Sequence, residues 1–263
     1  QRVADLMFNF EQREEAVVII ERALQIVDDL VREHPDVVTY HVQLVQLRTF
    51  LFITRNRMGQ NEAASRDYAA CIAAAEVMVA KDGIPNRRYQ LAYALVHGAY
   101  AAMFYQGMGG EVDLVRVSAD YARGLAILAE LPAELREAHQ TRRIESLALH
   151  CRAMHRTQLG ELDAAIADYE AAAALLDSMV RDEDDVEFKE PSLNLQVLRA
   201  DLLLRQRRIE EARPVYEMAF TAIHALKGRH SRPDDWRVKE RNIRTALARV
   251  RGLTGDVAGA TEL

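Results

Sequence analysis

Cysteine is almost absent. With only Cys71 and Cys151 in 263 residues, each far from the other and inside an apolar stretch, a disulfide framework is excluded. Two reduced, buried thiols in a reducing, cytoplasmic compartment are expected instead. Long apolar runs are also missing. The longest, such as the alanine–leucine stretch at 171–176, falls well short of the roughly 18–20 residues a membrane helix needs, so no membrane association is expected. Aromatics make up 6%, and there are 12 glycines and 6 prolines, too few for a turn-rich sheet architecture or a low-complexity chain. Charge of one sign does not dominate: the net −6 is a mild acidic excess, which argues against non-specific coating of nucleic acid. No phosphate-binding loop, dinucleotide fingerprint, zinc-protease pair or nucleophile elbow occurs.

What is present is alanine and leucine, with 49% hydrophobic and 28% charged residues, a composition suited to soluble helices with a core. One pattern repeats: a small or β-branched residue, a larger one four later, then another small one three after that. It occurs at Ala16/Ile20/Ala23, Ala64/Tyr68/Cys71, Val117/Tyr121/Gly124, Ala165/Tyr169/Ala172 and Ala212/Tyr216/Ala219, and begins again at Ala260. The first positions are separated by 48, 53, 48, 47 and 48 residues, so a repeat of about 48 runs along the chain. The long interval calls for an insertion, placed in a loop at Gly107-Met108-Gly109-Gly110. Positions i, i+4 and i+7 share one face of a helix, where small residues admit a partner helix and the aromatic fills the space between them.

Each triad after the first follows a turn signal, at Gly59, Gly110, Gly160, Arg207-Arg208 and Gly255. Pro35, Pro85, Pro132, Pro191 and Pro233 mark the starts of the preceding apolar-periodic stretches. Each unit is therefore expected to be a helix A, a tight turn, a helix B and a looser loop. The A helices are placed at 38–58, 86–107, 133–159, 188–206 and 235–252. The B helices are placed at 12–33, 60–81, 111–130, 161–181 and 209–227.

The segments Gly160–Ala172 and Arg208–Ala219 resemble the turn and second helix of a tetratricopeptide repeat, and Ala153, Ala200 and Ala248 match the small residue of that family's first helix. The period departs from the family's usual 34 or so residues. The resemblance is to the long bacterial form of the repeat, of which Glu33-His34-Pro35-Asp36 followed by Tyr40 is also reminiscent. It implies an all-α, right-handed α-solenoid of about five antiparallel helical hairpins, forming one repeat domain over 1–263. The unit boundaries expected are 1–35, 36–84, 85–131, 132–185, 186–232 and a partial 233–263, the whole reading as a piece of a longer protein. Such repeats often follow a serine/threonine kinase or another signalling domain, so the resemblance implies a regulatory context.

No chemistry-bearing cluster stands out. His150, Cys151 and His155 do not share one helix face, and a metal would need at least three converging ligands. The acidic stretch 181–187 lacks the glycine and alternation of a calcium loop. No catalytic residue, metal or cofactor is nominated, and the chain is expected not to be an enzyme.

Lysine and arginine concentrate on the A helices, aspartate and glutamate on the B helices. In the resembled family the A helices line a concave groove. That arrangement would make the groove basic and attract an acidic or phosphorylated peptide; the alternative is that A and B helices attract each other at their edges. Counting back from each turn places Gln46, Thr49, Asn56 and Arg57 on the groove side, then Leu95, Gly98 and Tyr105. His150 and Gln158 follow, then Asn194 and Arg205, and finally Asn242 and Arg249. The amides among these suit recognition of an extended peptide backbone. The function expected is a protein- or peptide-binding scaffold. A nucleic-acid-binding solenoid is the alternative, disfavoured because it needs a basic stripe interleaved with aromatics, and aromatics on the A helices look sparse.

Overall fold

In the computed structural model, residues 13–104, 113–181, 186–225 and 233–256 are described. Among them every regular element is a helix. In chain order these are α1 (Arg13–Glu33), α2 (Val38–Arg57), α3 (Asn61–Asp82), α4 (Pro85–Phe104), α5 (Leu114–Ala129) and the single turn α6 (Ala133–Arg136). They continue with α7 (His139–Leu159), α8 (Leu162–Asp177), α9 (Val186–Arg205), α10 (Ile209–Ala225) and α11 (Pro233–Leu253). Packing is between consecutive helices and, as in α2 on α4, between alternate ones, as in an α-helical solenoid or repeat.

The expected helices appear within a few residues of their placement, with one exception. The helix expected over 133–159 is broken at Glu137-Ala138 into α6 and α7. Leu135 of α6 and Ile144 and Ala148 of α7 all join one apolar cluster with Ala92, Val96 and Leu128. Nine residues along an unbroken helix amount to about 180°, so Leu135 and Ile144 would have faced opposite ways. The break lets both reach the same core. Pro191 lies inside α9, and the insertion expected at 107–110 lies outside the described residues, as does the sixth triad.

The repeat is most legible in the turns from A to B helices. The amide of Gln60 donates to the Arg55 carbonyl, Glu161 to Arg156, Arg208 to Leu203 and Asp256 to Arg251, each at 2.9 Å. This bond, from two residues past the cap back into the last helical turn, needs a left-handed residue between. Gly59, Gly160 and Gly255 supply it with φ of 71°, 79° and 83°; in the fourth turn Arg207 adopts φ 60° without glycine's freedom.

The triads are buried as the repeat requires. Ala64, Val117, Ala165 and Ala212 expose 1% or less of their surface, and Tyr68, Tyr121, Tyr169 and Tyr216 no more than 7%. Only Ala23, on α1, is half-buried. The small third residue matters most at Gly124, where an added Cβ would stand 2.6 Å from Val96 Cγ2 of α4.

The chain divides into two compact units, Gln1–Cys151 and Arg152–Leu263, the division falling inside α7. Three apolar clusters fill the first unit in succession. Ile20, Leu24, Leu44 and Leu51 join α1 to α2. Val45, Phe52, Tyr68, Cys71 and Leu95 join α2, α3 and α4, and the Ala92–Val96–Leu128 cluster joins α4, α5 and α7. In the second unit Leu193, Ala219, Ile223 and Ile243 join α9, α10 and α11. Among the described residues no helix is long and apolar enough to cross a membrane.

Candidate partner-binding face

Part of the charge asymmetry between A and B helices is used up inside the fold. On α2, Arg48 pairs with Asp28 of α1 at 3.2 Å, and Arg55 pairs with Glu21 of α1 and Asp67 of α3. On α4, Arg88 pairs with Glu130 at the end of α5. In the second unit Arg152 and Arg156 of α7 close on Asp168 of α8 at 2.6 and 2.7 Å, and Arg199 of α9 reaches Glu170 of α8 at 3.4 Å. Arg251 of α11 lies 3.8 Å from Glu217 of α10. Asp168 is only 4% exposed, so its two arginines are what allow a carboxylate to be buried there. These arginines of the A helices are therefore matched by carboxylates of the B helices beside them, which weakens the case for a uniformly basic groove.

The residues expected in the groove divide. Arg205, Asn242, Arg249 and Gln158 are exposed, while Asn56, Asn194 and His150 are half-buried. Arg57, expected to be exposed, is half-buried, and its main-chain carbonyl accepts a 3.0 Å hydrogen bond from Arg13 Nη1. Tyr105 lies outside the described residues. Three positions were misassigned: Thr49 and Leu95 are buried at 0% and 1%, and Gly98 is covered by the Tyr68 ring. Thr49 turns inward because its hydroxyl donates to the Val45 carbonyl at 2.8 Å and meets Cys71 Sγ at 3.4 Å.

The error on α4 has a definite cause. Counting back from Met108, in the middle of the glycine-rich turn at 107–110, sets α4 49 residues after α2, as in the pairing of Gln46 with Leu95. The helices themselves, Val38–Arg57 and Pro85–Phe104, are offset by 47. The corrected register replaces Leu95 with Tyr93 and Tyr105 with the buried Met103, and sets Tyr100 opposite Ile53 and Phe104 opposite Arg57.

That shift reveals what the sequence reading overlooked. Tyr89, Tyr93, His97, Tyr100 and Phe104 form one face of α4, four half-buried rings and a Phe104 that is 55% exposed. Aromatics are thus sparse on the A helices in general but concentrated on this one, and their spacing of four, four, three and four residues was the available signal. Ring centroids are 6.4 Å apart for Tyr89–Tyr93, 4.3 Å for Tyr93–His97 and 5.3 Å for the stacked Tyr100–Phe104 pair. From α7, His150 meets the Tyr100 ring edge-on at 5.4 Å, and Leu147 packs in the same cluster as Tyr89 and Tyr93.

These rings keep some accessible surface yet are strongly desolvated. Burial pulls His97 down to about 4, helped by the charge of Arg143, and pulls His150 to about 4. Burial also pushes Tyr89 up to about 12 and Tyr93 upward. The row is consequently uncharged at neutral pH, offering ring faces, phenol hydroxyls and imidazole nitrogens. The guanidinium that acts on Tyr89, Tyr93 and His97 belongs to the exposed Arg143 of α7.

Neither thiol is poised for nucleophilic chemistry: both are buried, and desolvation pushes Cys71 up to about 11 and Cys151 further. Among the described residues no three His, Cys, Asp or Glu side chains gather as metal ligands would.

No protein-family model matches the sequence, and no curated protein matches it. Among solved structures, the chain resembles BtubC (BKLC) from P. vanneervenii with a TM-score of 0.71 and 17% identity, over 95% of this chain and 87% of that one. At that identity the likeness is one of fold.

Proposed function

We propose that the chain is a tetratricopeptide-like, non-catalytic scaffold that binds a protein or peptide partner, serving as the regulatory region of a larger signalling protein. The observation that carries this reading is the α4 ring row. Five aromatic or imidazole side chains stand at the solvent boundary, and three of them, Tyr89, Tyr93 and His97, are desolvated there. Desolvated aromatics of this kind are the side chains from which protein interfaces draw most of their energy. Within the second unit, taken by itself, Asn194 and Asn242 carry amides and Arg205 and Arg249 are exposed. They favour a partner with anionic groups, an acidic or phosphorylated peptide.

The test is affinity capture with the immobilised chain at moderate salt, followed by identification of what stays bound. Proteins retained by the native chain and lost from a Tyr93→Ser/Tyr100→Ser variant of unchanged helicity support the reading. Retention that the variant leaves intact, or a bound pool that nuclease removes, refutes it. Reversing charge at Arg205 and Arg249 should weaken capture without unfolding the chain, because both side chains are exposed.

A further inference from the structure

Within the second unit a cavity of about 250 Å³ lies between α8, α9 and α10. Asp177 of α8 stands at its edge, and Met218 and Ala222 of α10 form one wall. From α9 come Lys189, Ser192, Leu193 and Gln196. Lys189, Ser192 and Gln196 are spaced three and four residues apart and share one helix face, as do Met218 and Ala222. The cavity therefore has a polar side on α9 and an apolar side on α10, with the small Ala222 leaving the space between them. At a share of ~30 Å³ per water, it holds about eight waters, or one molecule of about ten non-hydrogen atoms.

The Ser192 hydroxyl is the group that calls for an occupant. Thr49, Thr54, Thr157, Thr221 and Thr245 each donate to the carbonyl four residues back, the usual solution for a hydroxyl on a helix. Ser192 is only 4% exposed, yet among the described residues its hydroxyl has no hydrogen-bond partner. Leaving such a group unmet costs stability, and a ligand in the cavity it lines would meet it. One turn on, Gln196 Oε1 accepts from Arg199 Nη1 at 3.4 Å, so its amide N–H groups remain to donate. Charge narrows the choice further. Asp177 is exposed and its carboxylate has no partner among the described residues, whereas Lys189 already has an interaction of its own. The unmatched charge at the cavity is negative.

We infer that this cavity binds a small protonated amine carried on an aromatic ring, with a hydroxyl at the end opposite the ammonium. The ammonium pairs with Asp177. The ring lies between the buried Leu193 and the half-exposed Met218, whose thioether makes favourable contacts with ring edges. The hydroxyl, which can accept and donate at once, takes a bond from Gln196 and completes Ser192. An anionic analogue would bring a carboxylate against Asp177 and be rejected. The site belongs to the second unit and the ring row to the first, so neither reading depends on the other.

Three probes separate the contributions in calorimetric titrations of the full chain: tyramine, phenethylamine, which lacks the hydroxyl, and 4-hydroxyphenylacetate, which reverses the charge. Tyramine should bind one per chain with a Kd of about 1 mM or tighter, phenethylamine about threefold or more weakly than that, and 4-hydroxyphenylacetate not at all. Asp177→Asn should weaken tyramine by about tenfold. Asp177 is exposed, so this variant keeps its fold, and circular dichroism verifies that it does. In Ser192→Ala the difference between tyramine and phenethylamine should shrink, a coupling that a merely structural serine would not produce. Ala222→Leu, which fills the cavity, should abolish tyramine binding. No saturable binding of tyramine at about 10 mM overturns the inference. So does tyramine binding that Asp177→Asn or Ala222→Leu leaves unchanged, equal affinity for tyramine and phenethylamine, or a preference for 4-hydroxyphenylacetate. If none of the three probes binds while Ala222→Leu lowers capture of a protein partner, the cavity receives a partner's side chain and the inference falls.

Discussion

Gly98 is where the closeness of packing can be tested by adding one carbon. A Cβ at this position would lie 2.0 Å from Tyr68 Cε2, 2.6 Å from Cζ and 2.7 Å from Cδ2. Carbon contacts are comfortable at about 3.5–4.0 Å, so the ring would have to retreat by about 1.5 Å. It is not free to do so. The Tyr68 hydroxyl donates to Asp120 Oδ2 at 2.6 Å, Phe52 abuts the ring edge-on at 5.3 Å, and the Arg116 guanidinium lies 4.9 Å from the ring centroid. Overpacking of this kind costs about 1–3 kcal/mol, and losing a hydrogen bond to a carboxylate costs a similar amount. Against this, alanine is a better helix former than glycine by about 1 kcal/mol. Gly98→Ala should therefore destabilise by about 2 kcal/mol, read as a lower urea midpoint by circular dichroism and a melting temperature lower by about 4–8 °C. Tyr68→Leu opens the space, so adding Gly98→Ala to it should cost at least about 1 kcal/mol less than in the native background. A Gly98→Ala protein as stable as the parent, or a strictly additive double variant, would show that the ring can step aside and that the glycine is not required by packing.

Asp168→Ala leaves Arg152 and Arg156 without their shared carboxylate; because those guanidiniums are 32% and 31% exposed, the loss should be about 2–3 kcal/mol, and a change below about 0.5 kcal/mol in chemical denaturation would refute it. Ala165→Phe, at a site 0% exposed, should cost about 1–3 kcal/mol, and an unchanged melting temperature would count against the packing described. Arg207→Gly relieves a side chain held at φ 60° and should raise stability by about 0.5–1 kcal/mol in the same assay, provided the turn keeps its backbone bond. His97 and His150 are held near 4 when folded, below their unfolded value, so the unfolded chain binds protons that the folded one refuses. Stability is full above about pH 6.5 and falls toward pH 4, by about 1–2 kcal/mol per histidine between pH 7 and 5. Urea midpoints should show a smaller drop in His97→Gln, and an identical drop would remove His97 as its source.

Local pattern made the helices and their turns readable in advance. The small–large–small triads have the period of a helix face, and Gly59, Gly160 and Gly255 sit where a left-handed cap is needed. Even Arg207 was legible, because the repeat demanded a turn there whether or not glycine was present. The candidate face was not legible by the same route. Counting back from Met108 carried part of the insertion into α4 and moved the frame by two residues, which replaced Tyr93 with Leu95 as the residue facing outward. The ring spacing on α4 was visible in the chain, but the same spacing would also describe a buried face, and burial is decided by the neighbours.

From its sequence alone this protein is all-helical, repeats about every 48 residues, and buries its triads, because each of those properties is set by residues within a turn or two of one another. Tertiary structure alone decided which charges are consumed. Arg55 and Glu21, or Arg199 and Glu170, are distant in sequence and meet only when their helices pack. It decided the break at Glu137-Ala138, since Leu135 and Ile144 need one core only once α4 and α5 supply it. It also brought His150 of α7 to Tyr100 of α4, turning a stripe on one helix into a face shared by two. A helix face is fixed by backbone periodicity, but what that face meets depends on contacts between residues some fifty positions apart, and no local pattern encodes those.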